Sequence, residues 1–255
     1  MIGDKKVLCI IPARRKSKGL PGKNIRSLGG KPLVGWPIHT AKNSKYVDSV
    51  VVSTEDQGIA EIARKEGAEV PFLRPEELST DSASTISVLK HAIHSLRAAH
   101  PCDYVLLLEP TSPLTESSDV DLALETLDTK RLVADSIVAV SEVVSAHPCF
   151  DVLIDEQGLI RPFMGSGFQS PSRRQDISKL YFLEGSLYVS DVDVLLEHES
   201  FCHDRTLSYV VPKWKSFEID DIVDFYCVEA IMKRKQEIMS KHGTEPTEEH
   251  GISKE

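Results

Sequence analysis

The sequence predicts an α/β fold, a mostly parallel sheet with helices on both faces. Three observations carry that expectation. Short, almost wholly apolar runs recur at residues 7–11, 50–53 and 104–108. Segments with helical apolar spacing separate them. Polar motifs follow directly on their ends. Strands covered on both faces read as continuous apolar runs, and sites in such sheets lie beyond the carboxyl ends of the strands.

Taken in order, residues 7–11 form a first strand that stops at Pro12. A short helix is expected over 33–44, with Pro37 early in it. Residues 50–53 are a second strand. The segment 56–66 places Ile59, Ile62 and Ala63 at helical spacing, with Gly67 as its C-terminal cap. Residues 70–72 read as a third short strand. Ile86, Leu89, Ile93 and Leu96 line one face of a helix over 84–100, capped by Asp81, Ser82 or Ser84. Residues 104–108 form a strand, 119–127 a helix capped by Ser117 or Ser118, and 136–140 a strand.

Beyond 140 the rhythm breaks. Residues 149–154 and 159–163, joined by Asp155-Glu156-Gln157-Gly158, predict a β-hairpin. A basic stretch rich in glycine and serine follows over 165–174. A strand over 187–190, a helix over 191–197, a strand over 208–211, a strand or turn over 217–221 and a helix over 222–241 complete the reading. Residues 1–242 read as a single domain. The polar tail 243–255 is expected to be disordered.

Composition narrows the function. The chain carries 39 acidic against 30 basic residues, a net charge of −9, which disfavours general nucleic-acid binding. No apolar run approaches the ~18 residues of a membrane span, and the N-terminus does not read as a signal peptide. Cys9, Cys102, Cys149, Cys202 and Cys227 are scattered and form no C-x-x-C. Free thiols in a reducing cytoplasm are expected.

Three features hold chemistry. Arg14, Arg15, Lys16, Lys18, Lys23 and Arg26 crowd the glycine-bearing loop after the first strand. Cations and accessible backbone N–H groups suit phosphate; a solvated basic loop is the alternative. The loop matches neither the ATPase phosphate-loop pattern nor the dinucleotide-binding glycine pattern. Second, Glu218 and Asp220 stand two apart, on one side of an extended segment. Such hard oxygen donors suit Mg²⁺ shared with phosphates. Capping of the following helix by Asp220 or Asp221 is the competing role. Third, Glu109-Pro110-Thr111-Ser112-Pro113 fixes a rigid turn at a strand end. His91 and His94 lack a third metal ligand nearby.

Together these motifs resemble the CMP-sialic acid synthetases, the acylneuraminate cytidylyltransferases. The resemblance runs from about residue 6 to 235. It rests on Ile11-Pro12-Ala13-Arg14, Ser17-Lys18-Gly19-Leu20-Pro21 and Lys23-Asn24; on Leu73-Arg74-Pro75 with Asp81; on Pro110-Thr111-Ser112-Pro113; on Arg174-Gln175 and Gly185 with Tyr188; and on Ile219-Asp220 with Asp224-Phe225. It implies a Rossmann-like nucleotidyltransferase fold and a homodimer whose β-rich arm spans 145–180. The implied reaction is transfer of CMP from CTP to a nine-carbon 2-keto sugar acid, with Mg²⁺ and release of pyrophosphate. Arg14 and Lys23 would hold the triphosphate, helped by Ser17 and Lys18. Asn24, Arg74, Ala83 and Thr85 would hold the cytidine. Asp220, then Glu218, would bind the metal. Glu109, Arg174, Glu184 and Tyr188 would face the sugar.

The chain departs from the family pattern at four of these places. Glu109 replaces glutamine, Glu184 asparagine, Thr115 arginine and Glu218 aspartate. An ionised carboxylate accepts hydrogen bonds but donates none. Two such changes at sugar-facing positions predict a substrate with extra donors, of the legionaminic or pseudaminic kind. A 3-deoxy-octulosonate cytidylyltransferase and an inactive nucleotide-binding homologue are the alternatives.

Overall fold

The computed structural model of the chain describes residues 1–144, 147–164 and 178–242. The first half runs β1 (Val7–Pro12), a small ribbon of β2 (Ser27–Leu28) and β3 (Lys31–Pro32), α1 (Gly35–Asn43), β4 (Val47–Ser53), α2 (Gln57–Lys65), α3 (Thr85–Leu96) and β5 (Tyr104–Leu108). The second runs α4 (Ser117–Thr129), β6 (Ser136–Glu142), a hairpin of β7 (Val152–Ile154) and β8 (Ile160–Pro162), β9 (Tyr181–Asp191), α5 (Val192–His198), β10 (Thr206–Val210), α6 (Ile222–Lys233) and α7 (Lys235–His242).

The central sheet has the order β10-β6-β9-β5-β1-β4. β4, β1 and β5 run parallel, as do β6 and β10; β9 lies antiparallel between β5 and β6. The expected mostly parallel α/β sheet is therefore present. One apolar cluster joins alternate strand residues such as Cys9, Ile11, Leu106 and Leu108 to α1, α2 and α4. The other joins Leu8, Ile10 and Val105 to α3 and α5. Helices on both faces explain why the strands show no apolar–polar alternation.

Several sequence expectations change. Residues 70–72 form no strand; Glu69 alone bridges Val51, and Pro71 has no N–H to extend a ladder. β9 begins at Tyr181, well before 187, because Glu184, Gly185 and Ser186 interrupt the apolar signal in a real strand. The expected helix 84–100 stops at Leu96, and Ser84 is its cap, accepting from Ser87 N–H at 3.1 Å. The long C-terminal helix is two helices, divided where Arg234 adopts φ −113°, ψ 13°. α4 starts at Ser117, so neither Ser117 nor Ser118 caps it. Glu116 does, and its N–H donates to Asp119 Oδ2 at 2.8 Å.

Asp119 also anchors the segment that leads to the acidic stretch. Lys215 Nζ, buried, donates to both Asp119 oxygens at 2.8 and 2.7 Å and to Glu116 at 2.7 Å. Tyr209 OH donates to Asp119 Oδ1 at 2.9 Å. Removing one partner of a buried pair leaves an uncompensated charge. Lys215→Met should therefore lose about 3 kcal/mol of unfolding free energy, and Asp119→Asn added to it should recover part. Urea unfolding measures both; a loss under about 1 kcal/mol would show a water-screened pair.

Candidate active site

The basic loop, the rigid turn and the acidic stretch meet at the carboxyl ends of β1 and β5. What joins them is a third apolar cluster: Leu20 from the loop, Leu114 from just beyond the turn, Ile219 from the acidic stretch, and Phe225 and Val228 of α6. Residues 217–220 belong to no sheet. The two-residue alternation holds: Ile219 is buried, while Glu218 and Asp220 face the opposite way, into a cleft of ≈ 480 Å³. Ile219 N–H donates to the Thr111 carbonyl at 2.8 Å, which fastens the stretch to the turn. Lys23 Nζ donates to the Ile219 carbonyl at 2.7 Å and pairs with Asp220 at 3.4 Å. At Gly19 a Cβ would lie 2.3 Å from the Asp220 carbonyl oxygen, so only glycine fits this approach.

Arg14, Ser17, Lys18, Lys23, Asn24, Arg74, Ala83 and Thr85 all line the cleft, as do Glu109, Glu218 and Asp220. Their surroundings refine their roles. Asn24 donates its amide to the Arg14 carbonyl at 2.7 Å, and so shapes the loop. Arg74 is buried and committed to Glu55 at 3.0 Å and to Ser79 Oγ at 3.1 Å. The second oxygen of Glu55 takes the Arg15 backbone N–H at 2.8 Å. Burial would raise the Glu55 carboxyl, but the Arg15 N–H and the Arg74 guanidinium outweigh it and hold it below the usual range. The competing helix-cap role falls to Asp221, which accepts from Val223 and Asp224 N–H. Asp220 is left 81 % exposed in the cleft.

Glu184 and Tyr188 do not line the cleft. Glu184 is buried behind it on β9, its Oε1 taking the Ser186 hydroxyl and its Oε2 without a hydrogen-bond partner among the described residues. Tyr188 packs on Phe201 at 5.2 Å between ring centres. Arg174 lies outside the described residues. Gly185 connects β9 to the site: Glu218 Oε1 occupies the space a Cβ there would need. The extra methylene of Glu218 gives it that reach. Glu55 goes unmarked in the sequence, and Asp81 stands there as a possible helix cap and as the last residue of the Leu73-Arg74-Pro75 motif, with no role at the loop. Only the fold places the two beside it.

The two ends of the cleft differ in charge. Cations crowd the loop end. At the other, burial pushes Glu109 above the usual carboxylate range. Burial, then repulsion from Glu109, Glu184 and Asp220, pushes Glu218 up to about 7. Burial likewise pushes Glu184 up to about 7, against the Ser186 hydrogen bonds. Burial, then Glu109 and Glu218, raises the Tyr188 phenol. Among the described residues, no group of three or more His, Cys, Asp or Glu could hold a metal ion. Asp220 and Glu218 could offer a cation two carboxylates and leave its other positions to substrate phosphates.

An α/β sheet with a cationic glycine-bearing loop facing two carboxylates suits a phosphate-bearing ligand. Sequence comparison gives the family: residues 8–236 match the model for "Cytidylyltransferase", and the chain belongs to that family. It is 34% identical over 237 residues to the CMP-N,N'-diacetyllegionaminic acid synthase of Legionella pneumophila, covering 92% of this chain and 99% of that protein. It is 32% identical over 247 residues to an N-acylneuraminate cytidylyltransferase of Streptococcus agalactiae, covering 93% of this chain and 58% of that one. Among solved structures, a CMP:2-keto-3-deoxy-manno-octonic acid synthetase complexed with CTP superposes with a TM-score of 0.66 at 17% identity, covering 90% and 99% of the two chains. That likeness shows the nucleotidyltransferase fold.

The Glu184 environment yields a signed pH effect. A carboxyl that titrates near 7 when folded and near its ordinary value when unfolded holds its proton longer in the native state. Stability is then lost as pH rises towards 7. Between pH 5 and 8 the wild type should lose roughly 2 kcal/mol relative to Glu184→Gln. Urea unfolding at both pH values checks this; parallel pH profiles would count against a buried, unpaired carboxyl.

Proposed function

We propose that the chain transfers CMP from CTP to the anomeric hydroxyl of a nine-carbon 2-keto sugar acid and releases pyrophosphate. The observation that carries this reading is the meeting of Arg14, Lys18 and Lys23 with Asp220 and Glu218 across one cleft. Family membership and the relatives' named activities support it.

In this reading the sugar hydroxyl attacks the α-phosphorus in line with the departing pyrophosphate. Positioning and charge neutralisation do the work, and no enzyme nucleophile is needed. Arg14 and Lys18 receive the triphosphate. Lys23, fixed by the Ile219 carbonyl, presents its charge at the junction of loop and acidic stretch. Arg74, held on Glu55, lines the cleft with Ala83 and Thr85, which would take the cytidine. Asp220, with Glu218 beside it, would hold a Mg²⁺ ion, which when bound offsets the phosphate charge.

The acidic end suits a sugar acid that brings hydrogen-bond donors. Glu109 and Glu218 are acceptors when ionised, and Glu184 Oε2, without a hydrogen-bond partner among the described residues, lies behind them. This supports a legionaminic- or pseudaminic-type substrate over N-acetylneuraminate. A homodimer also fits. Leu153, Ile154, Leu159 and Ile160 of the β7–β8 hairpin, with Phe163 and Met164 beyond it, expose apolar side chains, an unusual surface for an isolated chain.

The test is pyrophosphate release from CTP and Mg²⁺ over a panel of sugar acids. Release should be fastest with legionaminic- or pseudaminic-type acids, slower with N-acetylneuraminate and slowest with a 3-deoxy-octulosonic acid. Turnover of N-acetylneuraminate alone would sink the sugar assignment, and no release with any member would sink the reaction.

A further inference from the structure

Asp81 points its carboxylate at the cations that the reading above gives to the triphosphate. Oδ1 accepts from Arg14 Nη1 at 2.8 Å, and Oδ2 pairs with Lys18 Nζ at 2.9 Å. All three residues line the cleft. Two carboxylate oxygens held by a guanidinium and an ammonium reproduce what two oxygens of one phosphate would make there. The Lys18 hydrogen bond first, then Arg14, hold the Asp81 carboxyl below its ordinary range.

Asp81 does not cap α3, a role taken by Ser84, so its charge is directed at the loop alone. It stands on a tethered segment. Arg74 N–H binds the Thr54 carbonyl at 2.8 Å at one end, and α3 begins at Thr85 at the other. The carboxylate is thus placed beside Arg14 and Lys18 by the fold.

We propose that Asp81 is a built-in counter-ion that competes with phosphate for Arg14 and Lys18, and so limits how tightly the cleft retains pyrophosphate after CMP transfer. Arg14 and Lys18 have N–H groups beyond those that Asp81 takes, but the charge they share with its carboxylate is charge withheld from a phosphate. Every polyanion therefore competes with this carboxylate. CTP offsets the competition with contacts to its base and ribose, on the wall formed by Ala83 and Thr85. Pyrophosphate has phosphate contacts only. The competition weighs most heavily on the product, and Asp81 recaptures the cations as it leaves. Asp81 is a positioning residue here: it acts through Arg14 and Lys18 and touches no reacting atom. The inference rests on the cytidylyltransferase reading of the loop.

The experiment is calorimetric titration of pyrophosphate into the full-length wild type, Asp81→Asn and Asp81→Glu, with product-inhibition kinetics alongside. Asp81→Asn keeps the side-chain shape and removes the charge. It should bind pyrophosphate about fivefold to tenfold more tightly, as loss of two half-exposed competing pairs allows. Its inhibition by pyrophosphate should strengthen in step, its kcat should fall, and Asp81→Glu should return both towards wild type. A merely structural role would loosen the site, not tighten it. Equal or weaker pyrophosphate binding by Asp81→Asn overturns the counter-ion role while leaving the reaction standing. Failure of the wild type itself to bind pyrophosphate overturns the phosphate reading of the loop, and the Asp81 inference with it.

Discussion

Ile219 is the point on which the site depends. Its side chain is buried with Leu20 and Leu114, its N–H is held by Thr111 and its carbonyl by Lys23. One residue thus ties the loop after β1, the turn after β5 and the approach to α6. The polar groups that face the cleft alternate with apolar ones that face the cluster, so the same backbone both packs and presents chemistry. The apolar cluster behind the cleft fixes the backbone from which Glu218 and Asp220 project.

Charge is distributed with the same economy. The chain is acidic overall, yet six cations crowd the loop after β1, and four of them are paired. Asp81 takes Arg14 and Lys18, Asp56 takes Arg15, and Asp220 takes Lys23. Glu109 and Glu218 in the cleft are held closer to neutrality by burial and by neighbouring carboxylates, as Glu184 behind them is by burial. A ligand with phosphates at one end and donors at the other would relieve both.

Much of this was legible in the sequence because the signals are local. Apolar runs marked β1 and β5 closely, and the alternation of Glu218, Ile219 and Asp220 predicted their division between core and cleft. The cation-rich loop announced a partner for anions. What was not legible depends on distance along the chain. Asp81 and Glu55 gain their roles only when the sheet brings residues about 40 to 67 positions apart together. Glu184 carries no pattern that reveals it as buried, and it weakened the apolar signal of β9 enough to hide half of that strand. Glu116 replaced the expected serines as a cap because Asp119 is held in place by Lys215, a partner nearly a hundred residues away.

If the loop and the acidic stretch form one binding surface, Lys23 is the link between them. Titration of CTP with Mg²⁺ into wild type and Lys23→Met, with thermal melting to confirm folding, tests this directly. The account predicts CTP binding by the wild type and a loss of about tenfold or more in the variant, the scale of a charge-assisted hydrogen bond. Equal CTP affinity in a folded Lys23→Met protein would contradict it.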